Sequence, residues 1–419
     1  MSAAAWPAPS PATPVRTAAA LFAAFAFAYF FSALLRAVTA TLAPEFSAEL
    51  GLSAGDLGLL AGAYFLGFSL PQLPLGRALD RWGPRRVLLL FLALAVLACA
   101  GFALARSFTS LLAARALIGV GVSACLMAPL TAYRLRFGAA AQLRASSWML
   151  MTGSLGMLAS TLPVQWLLPV IGWRGLFWAV AGLLALAMLL IAGVVPRDAI
   201  VGADTAGTNH TELGYGAIFR HAYFVRLTPL AFFVYGGLVA VQSLWAGPWL
   251  TDVAGHSAAG AARGLFAINL SMLFAFFGWG VAMPRLTRRG WKVERLITLG
   301  VPLSLLFLCG AVALGRQAGA GWWAAWCVSC TFVSLSEPAV ALAFPAAAAG
   351  RALSAFNLVI FLGAFGVQWG IGLAIDALGA LGWPRAAAFR AAFGLFALAC
   401  TLSYAWFLWR GRAGVRQAG

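Results

Sequence analysis

The chain has 419 residues, 63% of them hydrophobic and 9% charged, with a mean hydropathy of +0.92. This composition excludes a soluble globular domain and indicates an integral membrane protein. The formal net charge of +17 does not mark a nucleic-acid binder, because the arginines are scattered at the ends of apolar runs and form no basic face or tail.

Residues 1–16 hold four prolines and one arginine without a cleavage pattern, and read as a cytoplasmic tail. Apolar runs of the roughly 20 residues that cross a bilayer as a helix follow one another from there. They predict spans at about 17–41, 55–75, 87–105, 110–134, 146–169 and 175–195. After a polar linker (196–224) rich in Gly, Thr and Asp, read as a flexible connection, six more are predicted at about 225–250, 263–284, 295–314, 321–345, 353–377 and 388–409. Residues 410–419 form a second tail. The ten-residue alternation of a transmembrane β-barrel is absent, so the expected fold is an all-α membrane protein of twelve helices in two six-helix bundles, 17–195 and 225–409.

His210 and His221 lack partners at metal-ligand spacing and read as solvated loop residues. The six cysteines all fall in predicted spans; Cys327 and Cys330 have a redox spacing but no βαβ context, and read as buried inert thiols. No metal and no cofactor are implied. Gly119, Gly121 and Ala124 match a dinucleotide fingerprint by spacing, but they lie inside a long apolar span, where close helix packing explains the glycines.

The halves match each other. Pro44 and Pro248, Gly51 and Gly255, Ser53 and Ser257, Gly76 and Gly280, and Arg81 and Arg285 are each 204 positions apart. Such a parallel duplication implies a site at the interface of the halves near mid-membrane, and alternating access by rocking one half against the other. Arginines after spans 2, 4 and 8 mark those loops, and with them both termini, as cytoplasmic.

Ionisable groups inside spans are costly and therefore functional candidates. Four qualify: Arg36, Arg115, Glu337 and, near a helix end, Asp376. Arg36 shares one face of span 1 with Tyr29, Ser32 and Thr39, and reads either as a substrate anchor or as a side chain snorkelling to the interface. A guanidinium offers a planar fork to a carboxylate. On span 7, Tyr235, Gln242, Trp245 and Trp249 form an aromatic wall with one amide, with interfacial anchoring the competing account for Trp249. Glu337, followed by Pro338 in span 10, reads as a proton carrier, as a group satisfying the helix backbone around Pro338, or as a structural partner of an arginine. Arg115 reads as a group that balances a carboxylate or helps to relay protons, or as packing.

The stretch Gly76-Arg-Ala-Leu-Asp80-Arg81-Trp-Gly83-Pro-Arg85-Arg86 resembles the loop between helices 2 and 3 of the major facilitator superfamily. Arg115-x-x-x-Gly119-x-Gly121 in span 4 and Gly172-Trp173-Arg174-x-x-Phe177 entering span 6 resemble the same superfamily, and the likeness covers essentially the whole chain. In the loop, Gly83 is expected to permit a tight turn and Gly76 a close helix approach. The resemblance implies that Asp80 and Arg81, with Arg85 and Arg86, latch the halves on the cytoplasmic side, the carboxylate facing the N-terminus of span 11.

The segment 30–44 resembles helix 1 of the anion:cation symporters and organophosphate antiporters, where an arginine at the place of Arg36 binds the carboxylate or phosphate of the substrate. The sequence departs from the symporters in span 4, where Val122-Ser123-Ala124 stands in place of an acidic residue. The expected function is a secondary active transporter in a bacterial inner membrane: a monomer without enzymatic activity, importing a small organic anion with protons. A proton-driven exporter is the alternative, and it predicts a Gly-Pro dipeptide in helix 5, which residues 148–166 lack. A membrane enzyme or sensor would need a catalytic cluster or a soluble domain, and neither is found.

Overall fold

The computed structural model describes residues 15–196 and 214–417, and every regular element among them is helical. Span 1 (Val15–Leu50), span 2 (Ala54–Ser69 and Gln72–Trp82), span 3 (Pro84–Leu104) and span 4 (Phe108–Val122 and Ala124–Arg136) follow in order. Span 5 (Ala139–Ala159, then from Leu162 past a short turn) runs to Gly172, and span 6 runs from there to Val194. Gly172 separates the two rods because its φ of 63° is left-handed, a conformation that turns the chain and favours glycine. The second half holds span 7 (Ala222–Val253), span 8 (Ala258–Arg288), span 9 (Val293–Leu314), span 10 (Ala320–Ser334 and Ser336–Leu342), span 11 (Ala346–Ala380) and span 12 (Arg385–Gln417).

Several helices outrun the lengths expected from hydropathy. Span 1 continues through Pro44 to Leu50 because Phe46 is buried edge-on against Phe102 and Trp173, at centroid distances of 5.9 and 5.2 Å. Span 7 is wound in three π-helical stretches, Ala231–Tyr235, Val241–Trp245 and Trp249–Val253, a geometry that hydropathy does not signal. Part of the linker is ordered as a short helix, Tyr215–Arg220, and the Tyr215 hydroxyl donates to the Leu73 carbonyl of span 2 at 3.3 Å. His221, expected to be solvated, instead packs on Phe344 at 4.5 Å between that helix and span 7, with Nδ1 buried and unpartnered. His210 lies outside the described residues.

The duplication is written into the geometry. Gly51 and Gly255 both take a left-handed φ, 63° and 75°, and the following Ser53 and Ser257 both cap a helix, accepting from the backbone N–H three residues on. Glu49, ending span 1, pairs with Arg174 at the start of span 6 and accepts from Trp173 Nε1 at 2.6 Å. Asp252, ending span 7, pairs with Arg385 at the start of span 12 at 2.6 Å. The Gly-Trp-Arg motif thus ties the first and sixth helices of its half, on the face opposite the one that carries Val15 and Gln417.

Two hydrophobic cores fill the two halves. They interlock on that far face, where Ala40, Ala43, Ala54, Leu57 and Ala61 of spans 1 and 2 belong to the core of the second half. Within the first half, spans 2 and 4 touch backbone to backbone. A Cβ on Gly119 would lie 2.0 Å from the Tyr64 carbonyl oxygen, and one on Gly67 2.0 Å from that of Ala116. A Cβ on Gly121 would lie 2.5 Å from the Ala95 nitrogen, so these glycines serve helix packing, as their place in an apolar span suggested. Gly119→Val should therefore lower the melting temperature in detergent, by an overpacking cost of ~1–3 kcal/mol or more. Gly101→Val, at a position with open space around it, should leave the melting temperature unchanged.

Candidate substrate and proton site

Arg36 sits in the middle of span 1, partly accessible, where the two halves meet. Its guanidinium lies 5.4 Å from the centroid of Phe68 on span 2 and 5.9 Å from that of Phe361 on span 11, so it faces rings of both halves. The Tyr29 and Tyr64 hydroxyls are within its hydrogen-bonding reach, and Tyr235 and Glu337 lie within its electrostatic range. Arg36 therefore points into the interface and not at lipid. Its Nε is buried without a partner.

Glu337 lies across the interface on span 10, at the joint between Ala320–Ser334 and Ser336–Leu342. The Tyr235 hydroxyl donates to its Oε2 at 3.1 Å, and the side chain is partly accessible. Tyr235 ends a π-helical stretch of span 7. Tyr29 is held from behind by span 5, because a Cβ on Gly153 would lie 2.6 Å from its ring. The structure thus gathers Tyr29 and Arg36 from one half, and Tyr235 and Glu337 from the other, into one cluster.

Arg115 is fully buried behind that cluster. Its Nη2 donates to Thr39 Oγ1 at 2.6 Å and its guanidinium lies 4.9 Å from the Tyr64 ring centroid, while Nε and Nη1 have no partner. Tyr64 and Cys99 are its electrostatic neighbours, and neither is a carboxylate. Tyr64 therefore stands between two guanidinium groups, donating its own hydroxyl to the Ser32 carbonyl at 3.1 Å.

The remaining expected site residues are placed elsewhere. Ser32 is 1% exposed and turns its hydroxyl to the Val122 carbonyl at 3.4 Å. Gln242 donates to Asn269 Oδ1 of span 8 at 2.9 Å. Trp245 is buried, donates to the Gln368 carbonyl at 3.1 Å and meets Phe389 edge-on. Trp249 is neither a wall nor an interfacial anchor: it is buried among Trp323 and Phe393 and donates to the Ala318 carbonyl at 3.1 Å. Span 7 presents Tyr235 to the site and Trp249 to the core of its own half, while Trp245 lies at the far-face seam between the halves.

Residues the sequence did not single out are Tyr64, Phe68 and Phe361. A hydroxyl-bearing aromatic inside an apolar span was the available signal for Tyr64; the two phenylalanines are indistinguishable in sequence from core rings.

In the loop between spans 2 and 3, Gly83 takes the left-handed turn expected of it, with φ 78°. Gly76 does not mediate a close approach, since nothing lies within 4 Å of the position its Cβ would take. Arg85 Nη2 donates to the Ala192 carbonyl at 2.6 Å, and Arg81 and Arg86 are exposed. The Asp80 side chain lies outside the described residues.

The sequence profile of the Major Facilitator Superfamily matches residues 25–367. The chain belongs to the major facilitator superfamily. Its fold is similar to a bacterial homolog of the human lysosomal transporter Spinster in an inward-facing, unoccupied conformation (TM-score 0.77, 17% identity, 96% of this chain and 99% of that one). It is also similar to a D-xylose–proton symporter (TM-score 0.70, 15% identity, 92% and 96%). By sequence, the chain is similar to the "Probable L-galactonate transporter" of Escherichia coli (strain K12), 31% identical over 131 residues. That stretch is 31% of this chain and spans only 28% of the relative. As a major facilitator, the chain is a multi-pass membrane transporter, and its Arg36–Glu337 cluster lies between the two bundles.

Arg115 gives a test of role against architecture. A buried guanidinium without a carboxylate contributes little to stability, and an isosteric apolar side chain is often neutral or stabilising in its place. Arg115→Met should keep or raise the melting temperature. A loss like that of a core truncation, ~3 kcal/mol, would make the arginine a strut.

Proposed function

We propose that this major facilitator is a proton-coupled importer of a small organic anion, with Arg36 as the anion anchor and Glu337 as the proton carrier. The observation that carries the reading is their placement: a guanidinium and a carboxyl group from opposite halves, each partly accessible, in one cluster with Tyr29 and Tyr235. The local likeness to an L-galactonate transporter supports a sugar acid as the class of anion. Phenolic hydroxyls around a guanidinium suit such a solute, since they offer donors and acceptors to its hydroxyls beside the bidentate fork for its carboxylate.

The coupling follows from charge. An ionised Glu337 competes with the incoming carboxylate for Arg36. Once protonated, it leaves Arg36 to the substrate, so proton and anion load together. The doubly loaded site adds no net charge to the protein, which lowers the cost of carrying it through a low-dielectric interior. Binding of the carboxylate also takes Arg36 from the faces of Phe68 and Phe361, the rings that hold the halves together at mid-membrane.

The membrane is the cytoplasmic membrane of a bacterium, with both termini and the arginine-rich loops inside and the far face outside. The loop Gly76–Arg86 is the cytoplasmic latch, with Asp80 and Arg81 at its centre and Gly83, Arg85 and Arg86 shaping it.

Uptake of labelled sugar acids, L-galactonate among them, into proteoliposomes with and without an acid-outside pH gradient tests this reading. Gradient-dependent accumulation is expected. Arg36→Ala should abolish substrate-protectable binding, and Glu337→Gln should retain counterflow exchange while losing gradient-driven accumulation. Wild-type binding in the first variant, or undiminished accumulation in the second, removes that residue from the mechanism. Gradient-driven loss of solute from preloaded vesicles would make the protein an exporter instead.

A further inference from the structure

Asp376 of span 11 is a half-buried carboxyl group that the transport site does not use. It lies in the last turns of span 11, at the far face, and it reaches across to the other half. Its Oδ2 accepts from the Gly55 backbone N–H at 2.7 Å and its Oδ1 from that of Ala54 at 3.0 Å. These N–H groups open span 2, and the first N–H groups of a helix have no partner within it. Ser53 Oγ accepts from the next one, Asp56, at 3.1 Å. The N-terminus of a helix in the first half is thus completed by a carboxylate of the second.

The surroundings make this contact specific. A Cβ on Gly55 would lie 2.7 Å from Asp376 Oδ2, so a side chain there requires the carboxylate to shift. Below it the two spans touch by shape. Gly372 approaches the Ala54 carbonyl, with a virtual Cβ 2.3 Å from the oxygen; Gly58 approaches the Gln368 carbonyl at 2.4 Å; Gly62 approaches the Phe365 ring at 2.9 Å. Among the described residues, the Asp376 pair is the charge-assisted tie along this seam. A cavity of about 330 Å³, lined by Ser53, Ala54, Leu57, Trp245, Asp252 and Arg385, opens beside it. When the spans part, solvent from that cavity can rehydrate both the carboxylate and the N–H groups.

We propose that Asp376 is the far-face latch of the transport cycle: its carboxylate on the span 2 N-terminus holds the far side closed, and its release is required for that side to open. Charge-assisted hydrogen bonds and the favourable field of a helix N-terminus both act, and both vanish once the spans separate.

Spin labels at Ala48→Cys and Ala259→Cys, exposed far-face positions on spans 1 and 8, report the separation of the halves in the full chain with its native cysteines replaced. The parent should show mainly the short, closed distance. Asp376→Ala should raise the ratio of open to closed on the order of tenfold. Asp376→Asn, which keeps an acceptor without the charge, should shift it less. Gly55→Ala, which crowds the carboxylate, should shift the ratio in the same direction as Asp376→Ala. Asp56→Asn disturbs the cap within span 2, where Asp56 Oδ2 accepts from Ser53 N at 3.2 Å, and should leave the distances as in the parent. Unchanged distances in both Asp376→Asn and Gly55→Ala, or an equal shift in Asp56→Asn, overturn the proposal. The readout needs no substrate, so it stands or fails apart from the choice of anion and coupling ion.

Discussion

The structure depends on how closely spans 2 and 11 approach each other. Two helices from different halves can lie backbone against backbone only where side chains are missing. Gly55, Gly58 and Gly62 on one side and Gly372 on the other provide that absence. Without a hydrophobic drive between helices in lipid, contact of this kind comes from van der Waals packing and from hydrogen bonds that have no aqueous competitor. The seam runs from the far face to mid-membrane and ends in the ring cluster of Phe65, Phe68 and Phe361, on which Arg36 lies. The Arg36 cluster therefore lies at the inner end of the seam between the halves.

Electrostatics are arranged differently in the two halves. Among the described residues, the first half keeps two guanidinium groups around Tyr64 with no carboxylate beside Arg115. The second half contributes Glu337, held by Tyr235. A duplication that began with equivalent halves has thus left guanidinium groups on one side of the interface and a carboxyl group on the other. Its symmetry survives at the ends of the helices, in paired glycines, paired serine caps and paired ion pairs, where function makes the fewest demands.

Much of this was legible in the sequence. Hydropathy gave twelve crossings, the 204-residue offset gave two halves, and intramembrane charge pointed to Arg36, Arg115 and Glu337, because a charge in lipid has few other reasons to be there. Sequence left the stripe through Tyr29 and Arg36 open between a substrate face and a snorkelling side chain, because helical periodicity cannot separate a site face from a partner-helix face. Ser32 sits on the same stripe and turns to span 4. Span 7 was misjudged for a related reason. Three π-helical stretches change the angular spacing of its side chains, so Trp245 and Trp249 do not share the direction of Tyr235 that a regular helix would give them. Gly76 was misjudged because a glycine in a helix has two uses, and only coordinates show whether a neighbour is near. The tie from Asp376 to span 2 spans more than three hundred positions and had no local signature at all.

The ion pairs Glu49–Arg174 and Asp252–Arg385 have one more consequence. Each joins the first and last helices of a single half, on the exposed far side. Neither crosses from lobe to lobe, so raising the ionic strength screens bonds that stiffen each lobe internally, while the contact between lobes rests on glycine packing and on the half-buried Asp376. Salt should soften each lobe most, and weaken to a lesser degree the half-buried Asp376 contact that joins them.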